Sequence, residues 1–305
     1  MAVAITAAAA ELTKVPLQPI IASIGTFGRS ARRLALAAAL LSALLPAIGR
    51  AAETALLPIF DAHLHYNWEP RPHVALPQVL ELFRQQRIVG ILATSRPNDG
   101  TRALYEARSP DLWVVPFIRP YRVRSDIQSW MNDASIQDLI ESEFKRGYYM
   151  GIGEFHLSGK DAATPWVKRT VDFAAQHSLY LHAHADDEAL EILFAHNGAS
   201  KIVWAHTGFS TPPEKVEAYL QRHPGLWCEL SYRSGITSGG QLTAEWRRLF
   251  ERYPERFLLG SDTWIDQRWD SYAAIMADYR GWLAQLPVAV AEKIAFRNAE
   301  ALFKR

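Results

Sequence analysis

Histidine pairs spaced one residue apart occur twice in this chain, as His63-Leu64-His65 and His182-Ala183-His184. Glu154, His206 and Asp262 stand in similarly apolar surroundings. Imidazole nitrogens and carboxylate oxygens are the ligands that first-row divalent ions take in proteins. An ion so held makes a water acidic enough to attack near neutral pH and polarises a scissile group, so the chemistry in prospect is hydrolysis. Glu154 lies in Gly151-Ile152-Gly153-Glu154-Phe155-His156, where burying its charge is costly without a counter-ion or a cation. Taken singly, each residue has an ordinary alternative as a packed core histidine or a salt-bridged acid. What distinguishes them is where they fall.

All of them end apolar runs of strand length. The runs are Ile59–His65, Ile88–Ala93, Leu112–Ile118, Tyr149–Phe155, Leu179–Ala185, Lys201–Ala205, Leu226–Tyr232 and Phe257–Ser261. Helical patterns lie between them at Gln78–Gln86, Ile136–Lys145, Trp166–His177, Glu188–His196, Pro213–Arg222 and Leu242–Tyr253, with closing helices from Trp269 and from Val290. Eight strands, each followed by a helix or a loop of helix-forming length, predict a parallel sheet with right-handed crossovers. An open doubly wound sheet gives the same alternation. The count of eight favours a (β/α)8 TIM barrel, in which the C-terminal strand ends carry the chemistry. Residues i and i+2 of a strand share a face, so His63 with His65, and His182 with His184, project together. Imidazoles or carboxylates thus end strands one, four, five, six and eight. Independent accidents of packing would not select five strand termini at one barrel mouth.

Lys plus Arg (33) and Asp plus Glu (32) nearly cancel, which removes any long-range attraction to a polyanion, so no nucleic-acid partner is expected. The single cysteine, Cys228, cannot form an intramolecular disulfide, and its apolar neighbours predict a buried, inert thiol. Residues 1–52 differ from the rest. Arg29, Arg32 and Arg33 precede the apolar run Leu34–Ile48, and small residues follow around Ala51. This is the pattern of a secretory signal, with export to the periplasm or medium and no stable membrane partner expected. Residues 53–305 are then the barrel, a single domain of the usual size of about 250 residues.

The segments Phe60–His65, Val203–Gly208 and Leu258–Asp262 resemble the amidohydrolase superfamily, and Arg297-Asn298-Ala299-Glu300-Ala301-Leu302-Phe303 resembles its closing helix. Gly151-Ile152-Gly153-Glu154 is similar to the fourth strand of TatD-type metal-dependent hydrolases, whereas the His-Thr-Gly and Gly-Ser-Asp segments look more like the amidohydrolase-related branch. The resemblance implies a metal-dependent hydrolase with one or two divalent ions, zinc suiting the imidazole-rich set. It assigns His63, His65 and Asp262 to one ion. Glu154 would bridge to a second held by His182 and His206, standing where many members carry a modified lysine. Asp262 would take the proton of the attacking water. His184 and His156 match no required ligand and are expected to support the site or face the substrate.

Arg119 and Tyr121 after strand three, and Tyr232 and Arg233 after strand seven, are placed to meet substrate. Arginine pairs with carboxylate or phosphate as a planar fork, so a small, anionic molecule with an ester, lactone, amide or phosphoester bond is expected. Tyr66, Trp68 and Trp264 are candidates for the pocket wall. A decarboxylase on the same barrel is the chief alternative, reusing His63, His65, His182 and Asp262 with one ion. A non-catalytic exported binding protein is a second alternative, and the near-complete ligand set counts against it. A nuclease is a third, against which the net charge of +1 and the lack of a basic stripe count.

Overall fold

Runs of buried apolar residues form the first three strands, β1 (Ile59–Leu64), β2 (Ile88–Ala93) and β3 (Trp113–Ile118). The computed structural model describes residues 56–69 and 71–303. The expected signal segment lies outside the described residues, and one compact unit begins at Leu56. Strands β4 (Gly151–Leu157), β5 (Tyr180–Ala185), β6 (Ile202–Trp204) and β7 (Leu226–Glu229) follow. A short hairpin, β8 (Thr237–Ser238) and β9 (Gln241–Leu242), intervenes before β10 (Phe257–Leu258). The sheet order is β1-β2-β3-β4-β5-β6-β7-β10, all pairs parallel. A parallel bridge between Asp61 and Leu259 joins the last strand to the first, with the Ala62 N–H donating to the Leu259 carbonyl at 2.7 Å. The fold is the expected (β/α)8 barrel.

The outer layer comprises α1 (Leu76–Gln85), α2 (Asn98–Glu106), α3 (Ser135–Phe144), α4 (Pro165–Gln176), α5 (Asp187–His196), α6 (Pro213–Arg222) and α7 (Ala244–Arg252). Their apolar stripes pack onto the strands, and side chains cap the key turns. Thr164 accepts from the Val167 N–H at the start of α4, and Asp186 accepts from the Ala189 N–H at the start of α5. Helix α2 has no counterpart in the sequence reading, because Pro97 and Gly100 punctuate its first turn and read as breakers. Helices α8 (Asp266–Asp270), α9 (Tyr272–Leu283), α10 (Val288–Glu292) and α11 (Asn298–Phe303) close the chain. Among the described residues no helix is long and apolar enough to cross a membrane.

Two cores result. The larger lies between strands and helices, and the smaller fills the lower barrel with Phe60, Leu92, Val115, Phe117, Val203 and Leu258. Leu302 and Phe303 of α11 plug that end, Phe303 stacking on Phe60 and meeting Phe117 and Tyr180 edge-on. Among the described residues the end opposite the C-terminal mouth is thus filled by side chains. Cys228 is buried in the wall, and burial pushes its thiol up to about 12, as expected of an inert residue.

Candidate metal centre

Departures from ideal strands shape the mouth. Between β4 and β5 the register slips at Glu154: Gly153 pairs with His182, but Phe155 pairs with Ala183. The extra residue is a bulge, which re-aims a side chain. Gly153 is required there, since its φ is +127° and a Cβ would lie 2.2 Å from the His182 carbonyl oxygen. Strands β6, β7 and β10 also stop earlier than their apolar runs. His206 (φ 58°), Tyr232 (φ 51°) and Asp262 (φ 47°) turn into the left-handed region just beyond them, a strained conformation for such residues that the surrounding packing must hold.

These turns bring four donors together. The Nε2 atoms of His63 and His65 are 3.1 Å apart. Glu154 Oε2 is 3.5 Å from the first and 3.3 Å from the second, and Asp262 Oδ1 is 3.4 and 3.1 Å from them. One ligand atom from each of His63, His65, Glu154 and Asp262 lies within 4.8 Å of all the others, and all four residues are buried. His206 Nε2 faces the same group, 3.5 Å from Glu154 Oε1 and 3.8 Å from Asp262 Oδ2.

The outer nitrogens are equally ordered. A carbonyl or carboxylate oxygen can only accept, so the partner of each Nδ1 fixes the tautomer. Glu229 accepts from Nδ1 of His63 at 2.9 Å, the Thr94 carbonyl from Nδ1 of His65, and the Ser231 carbonyl from Nδ1 of His206 at 2.9 Å. Each ring, when neutral, presents its Nε2 lone pair to the centre. This is how proteins orient histidine ligands to metals. Without a cation there, the surrounding carboxylates favour a proton on Nε2 of His63 instead.

Charge makes the same demand. Burial works against charge on His63, and Asp262, Glu154 and Glu229 overcome it, holding the ring well above the usual imidazole range. Burial likewise opposes ionisation of Glu154 and is outweighed by His63, Arg119 and the hydrogen bond from His184, so its carboxyl is held far below the usual range. Asp262 is held at about 2, burial being overcome by His63 and His65. One terminal nitrogen of Arg119 donates to Glu154 Oε2 at 3.0 Å, and the other lies against the edge of the His65 ring, 2.6 Å from Nδ1 and 3.1 Å from Nε2. Inward lone pairs, ionised carboxylates and a guanidinium drawn onto them are the chemistry of a cation site. The donor set fits a divalent ion.

A cavity of about 360 Å³ opens above these residues, lined by Arg119, Glu154, His184, Tyr232, Asp262 and Trp264 among others. His184 is partly exposed there, its Nδ1 3.1 Å from Glu154 Oε1. Tyr232 accepts from Trp264 Nε1 at 3.2 Å across the rim. Two residues stand elsewhere than the sequence suggests. His182 is one layer deeper than His184 and packs against His63, ring centroids 4.4 Å apart, rather than joining Glu154 and His206. Both its ring nitrogens are buried without a partner. Arg233 points away from the cavity, donating to the backbone carbonyls of Phe209, Thr211 and Ser234 and lying over the Trp246 ring. It clamps the loop after β6. Tyr66 is buried too, its hydroxyl donating to the Val74 carbonyl.

Glu229 and Asp61 are the residues that sequence reasoning passed over. Asp61 accepts from the Ser261 N–H at 2.8 Å and the Tyr272 hydroxyl at 2.9 Å, tying β1 to the turn that carries Asp262. Glu229, in Leu226-Trp227-Cys228-Glu229-Leu230, is a carboxylate within an apolar strand. That is the signal which singled out Glu154.

Fold and site together define a metal-dependent enzyme built at the mouth of a (β/α)8 barrel. The amidohydrolase family model matches residues 148–305, just over half of the chain, and the protein belongs to that family. The matched span carries Glu154, His206 and Asp262, while the His63-x-His65 pair lies ahead of it. No curated protein matches the chain by sequence. Among solved structures, a protein from Pseudomonas putida titled as a candidate 2-pyrone-4,6-dicarboxylic acid hydrolase is similar over 81% of this chain and 97% of its own, at 15% identity and a TM-score of 0.53. An amidohydrolase from Burkholderia multivorans with bound zinc is similar over 80% of this chain and 98% of its own, at 15% identity and a TM-score of 0.50. At such identities the likeness concerns the fold. The family is one of metal-dependent enzymes that act on small molecules.

Proposed function

We propose that this protein is a hydrolase using one divalent ion, zinc by preference, held by His63, His65, Glu154 and Asp262, and acting on a small anionic substrate in the cavity above them. The observation that carries the proposal is the convergence of those four buried donors within 4.8 Å. A second ion would need His182 and His206 to meet at Glu154, and His182 turns instead to His63 and Glu229. When bound, the ion supplies Lewis-acid polarisation of the scissile group and acidifies the attacking water. The chain's own residues do the rest. Asp262, ionised and at the cavity floor, is the proton acceptor for that water and returns the proton to the leaving group. Arg119, buried at the cavity wall, supports an anionic group by its fixed charge. Glu229, Thr94 and Ser231 keep the three imidazoles aimed.

The test is metal analysis of purified protein followed by chelation, metal return and a panel of ester, lactone, amide and phosphoester substrates. One equivalent of metal per chain and hydrolysis lost and regained with it are expected. Full activity in metal-free protein would refute the proposal. Carbon dioxide as product would assign the decarboxylase alternative, which reuses the same barrel mouth.

A further inference from the structure

His156 follows Glu154 by two residues on β4, and its backbone is gripped from both sides. The Tyr121 hydroxyl oxygen accepts from the His156 N–H at 2.7 Å, and Trp130 Nε1 donates to the His156 carbonyl at 2.9 Å. The same Tyr121 hydroxyl is 3.0 Å from Nδ1 of the His156 ring. Tyr121 is fully buried, and among the described residues its O–H has no other acceptor. A buried hydroxyl left without an acceptor is costly, so the Tyr121 proton goes to Nδ1 of His156. An imidazole that accepts at Nδ1 carries its hydrogen at Nε2, and so does the charged ring. Among the described residues the Nε2 hydrogen has no acceptor within hydrogen-bond reach: Glu154 Oε1 is 4.0 Å away. The ring edge is part-exposed and lines the cavity beside Glu154 and His184.

We infer that Tyr121 locks His156 in the Nε2–H form as a dedicated hydrogen-bond donor to an acceptor oxygen of the substrate lying beside the group that the metal centre activates. This deepens the metal-centre reading and rests on it for the position of that oxygen. The ligating His63 and His65, and His206 beside them, have their Nδ1 atoms against acceptor oxygens and aim Nε2 inward. His156 has its Nδ1 against a donor and turns a proton into the cavity. One structure thus sorts chemically identical rings into two roles. The substrate it implies has two oxygen-bearing groups a few bonds apart, one for the metal centre and one for His156.

The test uses the full chain loaded with zinc, with malonate as a two-carboxylate probe and acetate as its one-carboxylate control. Nitrogen NMR of labelled histidine should show His156 in the Nε2–H form, and Tyr121→Phe should turn it into a mixture of tautomers. His156→Ala should weaken malonate about tenfold, the loss of one hydrogen bond to a charged group, while acetate affinity and zinc content stay as in the parent. His156→Gln, whose amide nitrogen reaches about as far as Nε2, should recover most of the loss. An unchanged malonate affinity in zinc-loaded His156→Ala, or an Nδ1–H signal in the parent, overturns the inference. Failure to bind zinc overturns the metal-centre reading instead, and the tautomer, measured on metal-free protein, still decides the lock.

Discussion

Replacing Glu229 by glutamine removes one charge and keeps the volume. Its Oε2 serves Nδ1 of His63 at 2.9 Å, the His206 N–H at 3.1 Å and the Ser231 hydroxyl at 2.9 Å, while Oε1 serves the Ser231 N–H. A glutamine has only one acceptor atom. With its oxygen at the first position, its NH2 meets the Ser231 N–H. With the amide reversed, it meets the His63 and His206 donors. Either way a buried donor loses its partner, at a cost of about 1–3 kcal/mol to the metal-free fold. The remaining bond to His63 is neutral and weaker, so the ring is less firmly held with Nε2 inward. Loss of such an outer partner of a metal-bound histidine costs about 10–100-fold in affinity, or about 1.4–2.8 kcal/mol. Denaturant unfolding of the metal-free protein measures the first quantity, and zinc competition against a chromogenic chelator measures the second. Zinc affinity equal to that of the parent, in a variant with lowered unfolding stability, would show that Glu229 supports the barrel and not the metal, and the reasoning would fail.

Glu154→Gln should lose metal and lower turnover by about a hundredfold or more, whereas Asp262→Asn should retain much of the metal and lose nearly all turnover, separating a binding from a proton-transfer role; metal analysis beside steady-state rates distinguishes them. Gly260→Ala places a Cβ 2.3 Å from Glu229 Oε1 and 2.5 Å from the His63 Cβ, so overpacking should cost about 1–3 kcal/mol and reduce metal content, read by denaturant midpoint and elemental analysis. The apolar run Leu34–Ile48 with its basic flank is proposed to direct export with cleavage near Ala51; N-terminal sequencing of the native protein should begin close to Glu53, and an intact chain beginning at Met1 in the cytoplasm would contradict the proposal.

Much of this protein is legible in its sequence. Strand alternation is a local property: apolar runs of the right length separated by helical patterns specify the barrel's elements. The donors' residue types and positions at strand ends follow from that reading. Helix α2 escaped it because Pro97 and Gly100 resemble turn residues wherever they occur, and only packing on β2 and β3 decides otherwise.

The contents of the site were decided by the tertiary structure. His63 and Asp262 are far apart in sequence, and their 3.4 Å separation exists because the bridge between Asp61 and Leu259 closes the barrel. The two-residue period placed His182 and His184 on one face and could not say which reaches the mouth. The bulge at Glu154 settles that, since it slides β4 against β5 and leaves His184 beside the carboxylate and His182 a layer below. Arg233 looked like a substrate arginine because its type and position are those of one, yet the carbonyls of Phe209 and Thr211, brought near by the left-handed turn after β6, claim its guanidinium. Residue type and period are set by the chain alone. Which partner a polar side chain meets depends on segments distant in sequence, and only closure of the barrel brings them into contact.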